Sequence, residues 1–272
     1  MSRRWELTLD DYAHLHRWSV DEPVNFWRSL WSFCDVLGDI GGQRWVQDLG
    51  QMPGAQWFPD AHLNFAENLR RRRDDRTAMI FRAEDQVRRE WTYAQLYSQV
   101  AGLAAALRRD GVGPGDRVCG YLPNMPESVI AALATATVGA VWSSCSPDFG
   151  VQGVLDRFGQ IEPTVLFSAD GYYYAGQRHS SIDRLVDIRA ALPTLRRVVV
   201  VPLLDSQPNL GAIDGALCLE EYAPPESGEI DFVQLPFNHP LYILYSSGTT
   251  GVPKCIVHGA GGTLLQLSLI HI

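Results

Sequence analysis

The residues best suited to chemistry stand together as Ser246-Ser247-Gly248-Thr249-Thr250-Gly251-Val252-Pro253-Lys254. Glycines let a backbone turn its N–H groups toward one point, hydroxyl side chains add donors, and the lysine supplies a positive charge at the far end. These are the parts of a cradle for phosphate oxygens. The spacing is not that of the Walker A loop, GxxxxGK[ST], and Pro253 disfavours helix at the residue before it. A flexible surface turn has a similar composition. Position separates the two readings, because the loop follows Leu241-Tyr242-Ile243-Leu244-Tyr245, an apolar run too continuous for a half-exposed strand. A loop fed by a buried central strand lies where open α/β sheets bind ligands.

Other reactive side chains carry less. Cys145, beside Ser146-Pro147, has no paired base in the sequence and reads as a packed residue. His258 lies in an apolar run and reads as structural. Arg70 to Arg73 form a run beside Asp74 and Asp75, expected to be the solvated end of a helix.

The elements that must position the loop follow from periodicity. Thr92 with Gln95 matches a capping box, and Leu96, Val100, Leu103 and Leu107 then share one helical face. An apolar run from Val118 to Leu122 leads to a helix from Pro126 to Gly139, with proline suited to the first turn. Strand and helix signals then alternate: Ala140 to Ser143, Val151 to Gln160, Thr164 to Phe167, Ile182 to Leu192 and Val198 to Val201. Such alternation predicts an α/β layered domain with a largely parallel sheet flanked by helices. Residues 205–240 are rich in proline and glycine and read as loop. Residues 1–76 carry Trp5, Trp18, Trp27, Trp31, Trp45 and Trp57 between prolines and read as an irregular cap whose rings serve as packing area.

Composition sets the bounds. A chain of 272 residues with 46% hydrophobic and 20% charged residues buries a substantial core. Its formal net charge of -8 argues against a general nucleic-acid coat and offers no long-range help to an anionic ligand, so such a ligand must be held by local donors. Five cysteines without a CxxC pair disfavour a zinc site or a disulfide scaffold. The start lacks the apolar core of a signal peptide, and no run approaches the ~18 apolar residues of a membrane span, so a cytoplasmic setting without membrane contact is expected.

Tyr245 to Lys254 resembles the signature loop of the adenylate-forming superfamily, which holds acyl-CoA synthetases, firefly luciferase and the adenylation domains of peptide synthetases. Trp57-Phe58-Pro59-Asp60-Ala61-His62-Leu63-Asn64-Phe65-Ala66-Glu67-Asn68 resembles the cap shared by acetyl- and acetoacetyl-CoA synthetases. Trp142 to Gly150, Asp170-Gly171-Tyr172-Tyr173-Tyr174 and Cys255 to Gln266 are similar to the acetoacetate branch. The resemblance implies ATP-dependent ligation of acetoacetate to CoA through an acyl-adenylate, with Mg2+ on the phosphates. It further implies that Ser246, Ser247, Gly248, Thr249, Thr250 and Gly251 hold phosphate oxygens of ATP, and that Lys254 meets the outer phosphates during the first half-reaction. Arg178 falls where the acetyl-CoA branch touches a CoA phosphate, and a solvent-facing arginine is the alternative. An acetyl- or propionyl-type synthetase remains an alternative branch, and a non-catalytic nucleotide-binding module an alternative class. The adenine and ribose motifs, the hinge and the adenylation lysine of the family are not found in this sequence. The chain is therefore expected to be an inactive N-terminal fragment: a cap over residues 1–76, a partial AMP-binding domain over 77–266 and a non-native tail over 267–272. Leu267-Ser268-Leu269-Ile270-His271-Ile272 corresponds to one reading frame of an adapter used in preparing sequencing libraries.

Overall fold

The structure is a computed structural model that describes residues 5–8, 10–246 and 251–271. Alternating apolar runs and amphipathic segments assemble a seven-stranded sheet. Its strands are β6 (Arg117–Tyr121), β7 (Val141–Cys145), β8 (Val165–Ala169), β11 (Arg197–Val201), β12 (Ala216–Cys218), β14 (Pro240–Ser246) and β15 (Lys254–Gly259). The order is β12-β11-β8-β6-β7-β14-β15, with every pairing parallel except the last, β14 with β15. Four two-stranded pairings lie outside this sheet among the described residues: β1 (Val46–Gln47) with β2 (Gln56–Trp57), β3 (His62–Leu63) with β13 (Leu235–Pro236), β4 (Thr77–Ala83) with β5 (Val87–Thr92), and β9 (Gly171–Tyr174) with β10 (Gln177–Ser180).

Both faces of the sheet are covered, as a parallel sheet requires. The period-2 alternation of strands sends Val199 and Val201 to one apolar cluster and Val198 and Val200 to the other. The first cluster packs against α4 (Tyr93–Arg109), α5 (Pro126–Thr137) and the cap. The second packs against α6 (Val151–Phe158) and α7 (Ile182–Ala191). α4 begins with the anticipated capping box, Thr92 accepting from Gln95 N–H while the Gln95 amide oxygen accepts from Thr92 N–H. Gly102 on α4 lets the returning loop lie against the helix, since a Cβ there would stand 2.0 Å from the Pro224 carbonyl oxygen.

The cap is more regular than its composition suggests. It holds α1 (Tyr12–Asp21), capped by the Asp11 carboxylate on His14 N–H, and α2 (Pro23–Phe33), with proline in its first turn. A short α3 (Phe65–Leu69) follows, and Asn64 before it is fully buried, its amide donating to the carbonyls of Ala136 and Val233 at 2.9 Å each. Residues 205–240 likewise hold β12, a short α8 (Leu219–Tyr222) and β13 within the expected loop. α9 (Ala260–His271) packs on α2 and β15.

Two expectations need correction. Arg70 is 3% exposed rather than solvated, because it caps the end of α3 where the chain turns inward over Tyr97. The run Leu241 to Tyr245 is an interior strand by pairing, but it is not buried throughout. Leu241 and Ile243 are buried, whereas Leu244 and its partner Ile256 on β15 are both exposed. The reason is that β15 is the last strand of the sheet among the described residues, so this corner is thinly covered.

Candidate functional site

The parallel strands end on one edge. Tyr121 aligns with Cys145 and Ser168, and Ala169 with Val201, so the segments that leave β6, β7, β8 and β11 emerge side by side. β14, parallel to β7, delivers its loop to that same edge. Ser246 ends β14 and pairs with Lys254, the first residue of β15. The two stems of the loop are thereby held next to each other in an antiparallel ladder.

Of the anticipated phosphate contacts, Ser246, Gly251 and Lys254 are placed at this hairpin, and Ser247, Gly248, Thr249 and Thr250 lie outside the described residues. Gly251 has φ +109, a conformation that L side chains rarely adopt, with open space around its Cα. Its requirement for glycine is conformational rather than steric. Lys254 is exposed at the mouth of the hairpin.

Beneath the hairpin lies a hydroxyl pair that links β7 to β14. The buried Ser143 hydroxyl donates to the Ile243 carbonyl at 2.8 Å, and the Tyr245 hydroxyl lies 2.9 Å from it. Burial pushes the Tyr245 phenol above its ordinary range, and the bond to Ser143 opposes that shift.

The adjoining loop, Ser146 to Gly150, is fixed from below. The Tyr121 hydroxyl lies 2.8 Å from the Pro147 carbonyl and 2.7 Å from that of Phe149. Arg184, in the first turn of α7, donates to the Tyr121 oxygen at 3.0 Å and to Pro147 at 2.9 Å. Cys145, at the start of this loop, is buried, and desolvation pushes its thiol up to about 12. Packed in the apolar cluster on this face of the sheet, Cys145 fits its reading as a structural residue. His258 packs against the Tyr242 ring at 5.0 Å between centroids, which fits its structural reading.

Arg178 lies on β10, which pairs with β9 outside the seven-stranded sheet. It donates to the Leu204 carbonyl at 2.8 Å and to the Asp205 carboxylate at 2.7 Å. A phosphate at this position would compete with Asp205. Asp205 is in turn held by Asp170, a buried carboxylate that accepts from the N–H groups of Leu203, Leu204 and Asp205. Asp170, Ser143 and Tyr245 fall in stretches the sequence marked, but their bracing contacts were not legible there, because each is made with partners 33 or more residues distant.

The arrangement is that of a layered α/β protein in which Ser246 and Lys254 stand paired at the carboxyl edge of the sheet. The family model described as AMP-binding enzyme matches residues 65–271, and that described as acetyl-coenzyme A synthetase N-terminus matches residues 12–69. The chain belongs to the AMP-binding enzyme family. It is 48% identical to acetoacetyl-coenzyme A synthetase of Rhizobium meliloti (strain 1021) over 97% of its own length and 40% of that protein's. It is 43% identical to acetoacetyl-CoA synthetase of Macaca fascicularis over 96% of its own length and 40% of that protein's. The solved structure of acetoacetyl-CoA synthetase from Streptomyces lividans matches with a TM-score of 0.89 at 48% identity, over 96% of this chain and 40% of that one. The chain thus spans about two fifths of the length of the relatives it matches.

Proposed function

We propose that the chain is the N-terminal part of an acid–thiol ligase that converts acetoacetate, ATP and CoA into acetoacetyl-CoA, AMP and diphosphate through an acyl-adenylate. The observation that carries this reading is the pairing of Ser246 with Lys254 at the carboxyl edge of the sheet, in a chain whose relatives are named acetoacetyl-CoA synthetases. Attack of a carboxylate oxygen on the α-phosphate releases pyrophosphate, and donors aimed at the leaving group stabilise the charge that grows there. In this reading the residues from Ser246 to Gly251 supply those donors and Lys254 meets the outer phosphates. Mg2+, carried in with the ATP phosphates, would neutralise part of their charge. Among the described residues no group of three or more His, Cys, Asp or Glu side chains is arranged to hold a metal ion. Arg178 is a CoA-phosphate contact only if it exchanges Asp205 for that ligand.

Residues 1–76 form the cap in this proposal, 77–266 part of the adenylation domain, and 267–272 a non-native tail. Free cysteines, among them the exposed Cys255, suit a reducing cytoplasm. No helix of the described residues is long and apolar enough to cross a membrane.

The test is ATP–pyrophosphate exchange by the gene product extended past Gln266, with acetoacetate, acetate and propionate compared in parallel. Exchange that depends on acetoacetate is expected, and the 272-residue chain alone should show none. Exchange driven equally well by acetate or propionate would replace the acyl assignment, and its absence with every acid would favour a non-catalytic nucleotide-binding module.

A further inference from the structure

One side chain outside the loop ties down both neighbours of Lys254. Gln160 lies two residues beyond the end of α6, and its amide nitrogen donates to the Pro253 carbonyl at 2.8 Å. Its amide oxygen lies 3.7 Å from the Cys255 sulfur, within reach of the S–H. The same nitrogen also reaches the Asp156 carbonyl, anchoring the amide to its own helix. One turn back, the Arg157 guanidinium lies 4.2 Å from the Phe149 ring centroid and 5.9 Å from that of Tyr245, the residue before Ser246. The last turn of α6 and the residues that follow it therefore approach both stems of the hairpin.

We propose that Gln160 is a positioning residue for Lys254. This rests on the reading of the hairpin loop as a phosphate site. A lysine ammonium rides on a flexible four-carbon stem, so its aim depends on how firmly its Cα is held. On the β14 side Lys254 is held by its pairing with Ser246. Pro253 has no N–H with which to extend that ladder, and Gln160 takes hold of its carbonyl instead. Gln160 is itself exposed, so its replacement removes the tether without opening the core.

Cys255 provides a reporter in the 272-residue chain. Its alkylation by iodoacetamide is followed by mass spectrometry for wild type, Gln160→Ala and Lys254→Ala, with and without inorganic pyrophosphate, beside a thermal melt of each. Pyrophosphate is expected to slow alkylation of wild type saturably. Gln160→Ala should melt with the wild type, alkylate several-fold faster without pyrophosphate, and need about two- to twelve-fold more pyrophosphate for half-protection, the range set by one lost hydrogen bond. Unchanged alkylation in Gln160→Ala would overturn the proposal, and so would faster alkylation at unchanged half-protection, which would leave Gln160 a helix-end cap only. If pyrophosphate fails to protect wild type and Lys254→Ala behaves identically, the phosphate reading of the loop fails and the proposal falls with it.

Discussion

The Ser143 hydroxyl on β7 stands 2.9 Å from the Tyr245 hydroxyl on β14, joining two strands whose residues are about a hundred positions apart in the chain. Three phenols, those of the buried Tyr121 and Tyr222 and the half-buried Tyr245, have their pKa raised, each chiefly by desolvation. A phenol in the unfolded chain ionises near pH ~10, while in the folded chain it keeps its proton to higher pH. Stability from these groups is therefore fully present below about pH 10 and is lost as pH rises beyond it. Thermal melts above that pH should fall steeply, and phenolate absorbance from these side chains should appear together with unfolding. Ser143→Ala, which leaves the Tyr245 hydroxyl without this partner, should cost about 1–3 kcal/mol by denaturant titration, and Tyr245→Phe less.

Arg70 is expected to work against the fold. Its three guanidinium nitrogens are buried without a hydrogen-bond partner, and its charge is met by the Tyr97 ring, 5.1 Å away. Desolvation lowers its pKa to about 10. A base whose folded pKa is depressed costs stability at every pH below that value and recovers it only above. Arg70→Met should be neutral or stabilising by up to about 3 kcal/mol, with a gain that stays flat from about pH 5 to 9 in thermal melts. A marked loss of stability would show that the guanidinium has a partner the described contacts lack.

Arg89 and Glu127 form the opposite case. Glu127, 6% exposed in the first turn of α5, accepts two bonds from Arg89 on β5, at 2.6 and 3.1 Å. Arg89→Ala strands a buried carboxylate and should cost about 3–5 kcal/mol. Glu127→Gln in the same chain should recover part of that loss. A double-mutant cycle by urea titration measures the coupling, and additive losses would mean that the pair is not formed in solution.

On the proposed ligase reading, Lys254→Ala should separate the two half-reactions in the extended protein. Adenylation should slow by about one to two orders of magnitude, the size expected for a lost charge-assisted contact to phosphate. Thioester formation from supplied acyl-adenylate should suffer less, since pyrophosphate has already left. Rapid-quench measurement of each step distinguishes this from an equal loss in both, which would mean that Lys254 acts through loop geometry.

The layered sheet was legible because its signals are local. Thr92 and Gln95 announce α4 within four residues, and the apolar runs of β6, β8 and β11 stand out between helices. The hairpin β9–β10 was missed, since its strands are four residues each and its turn at Ala175-Gly176 follows directly on an aromatic run. The arginine run misled because exposure is a tertiary property: Arg70 turns inward while Arg71 and Arg73 reach Asp35 and Glu229. Of the loop expected from glycine, hydroxyl and lysine spacing, the described residues show only its stems, Ser246 paired with Lys254. The side chains that brace it are invisible in sequence, because Gln160 meets Pro253 across 93 residues and nothing near Gln160 signals that contact.

The place of β14 in the sheet also has a consequence for how the chain is made. β6, β7, β8 and β11 lie within residues 117–201 and can assemble as the chain emerges, but β7 gains its second neighbour only when residues 240–246 arrive. Ser143 waits for Ile243, a hundred residues later, and closing so long a span costs only slightly more entropy than closing one half its length. The delay lies in synthesis, at about 5–20 residues per second, rather than in the search for contact. For several seconds the nascent sheet exists without the strand that carries Ser246, so β14 and β15, which bring Ser246 and Lys254 together, are the last strands to join this sheet among the described residues.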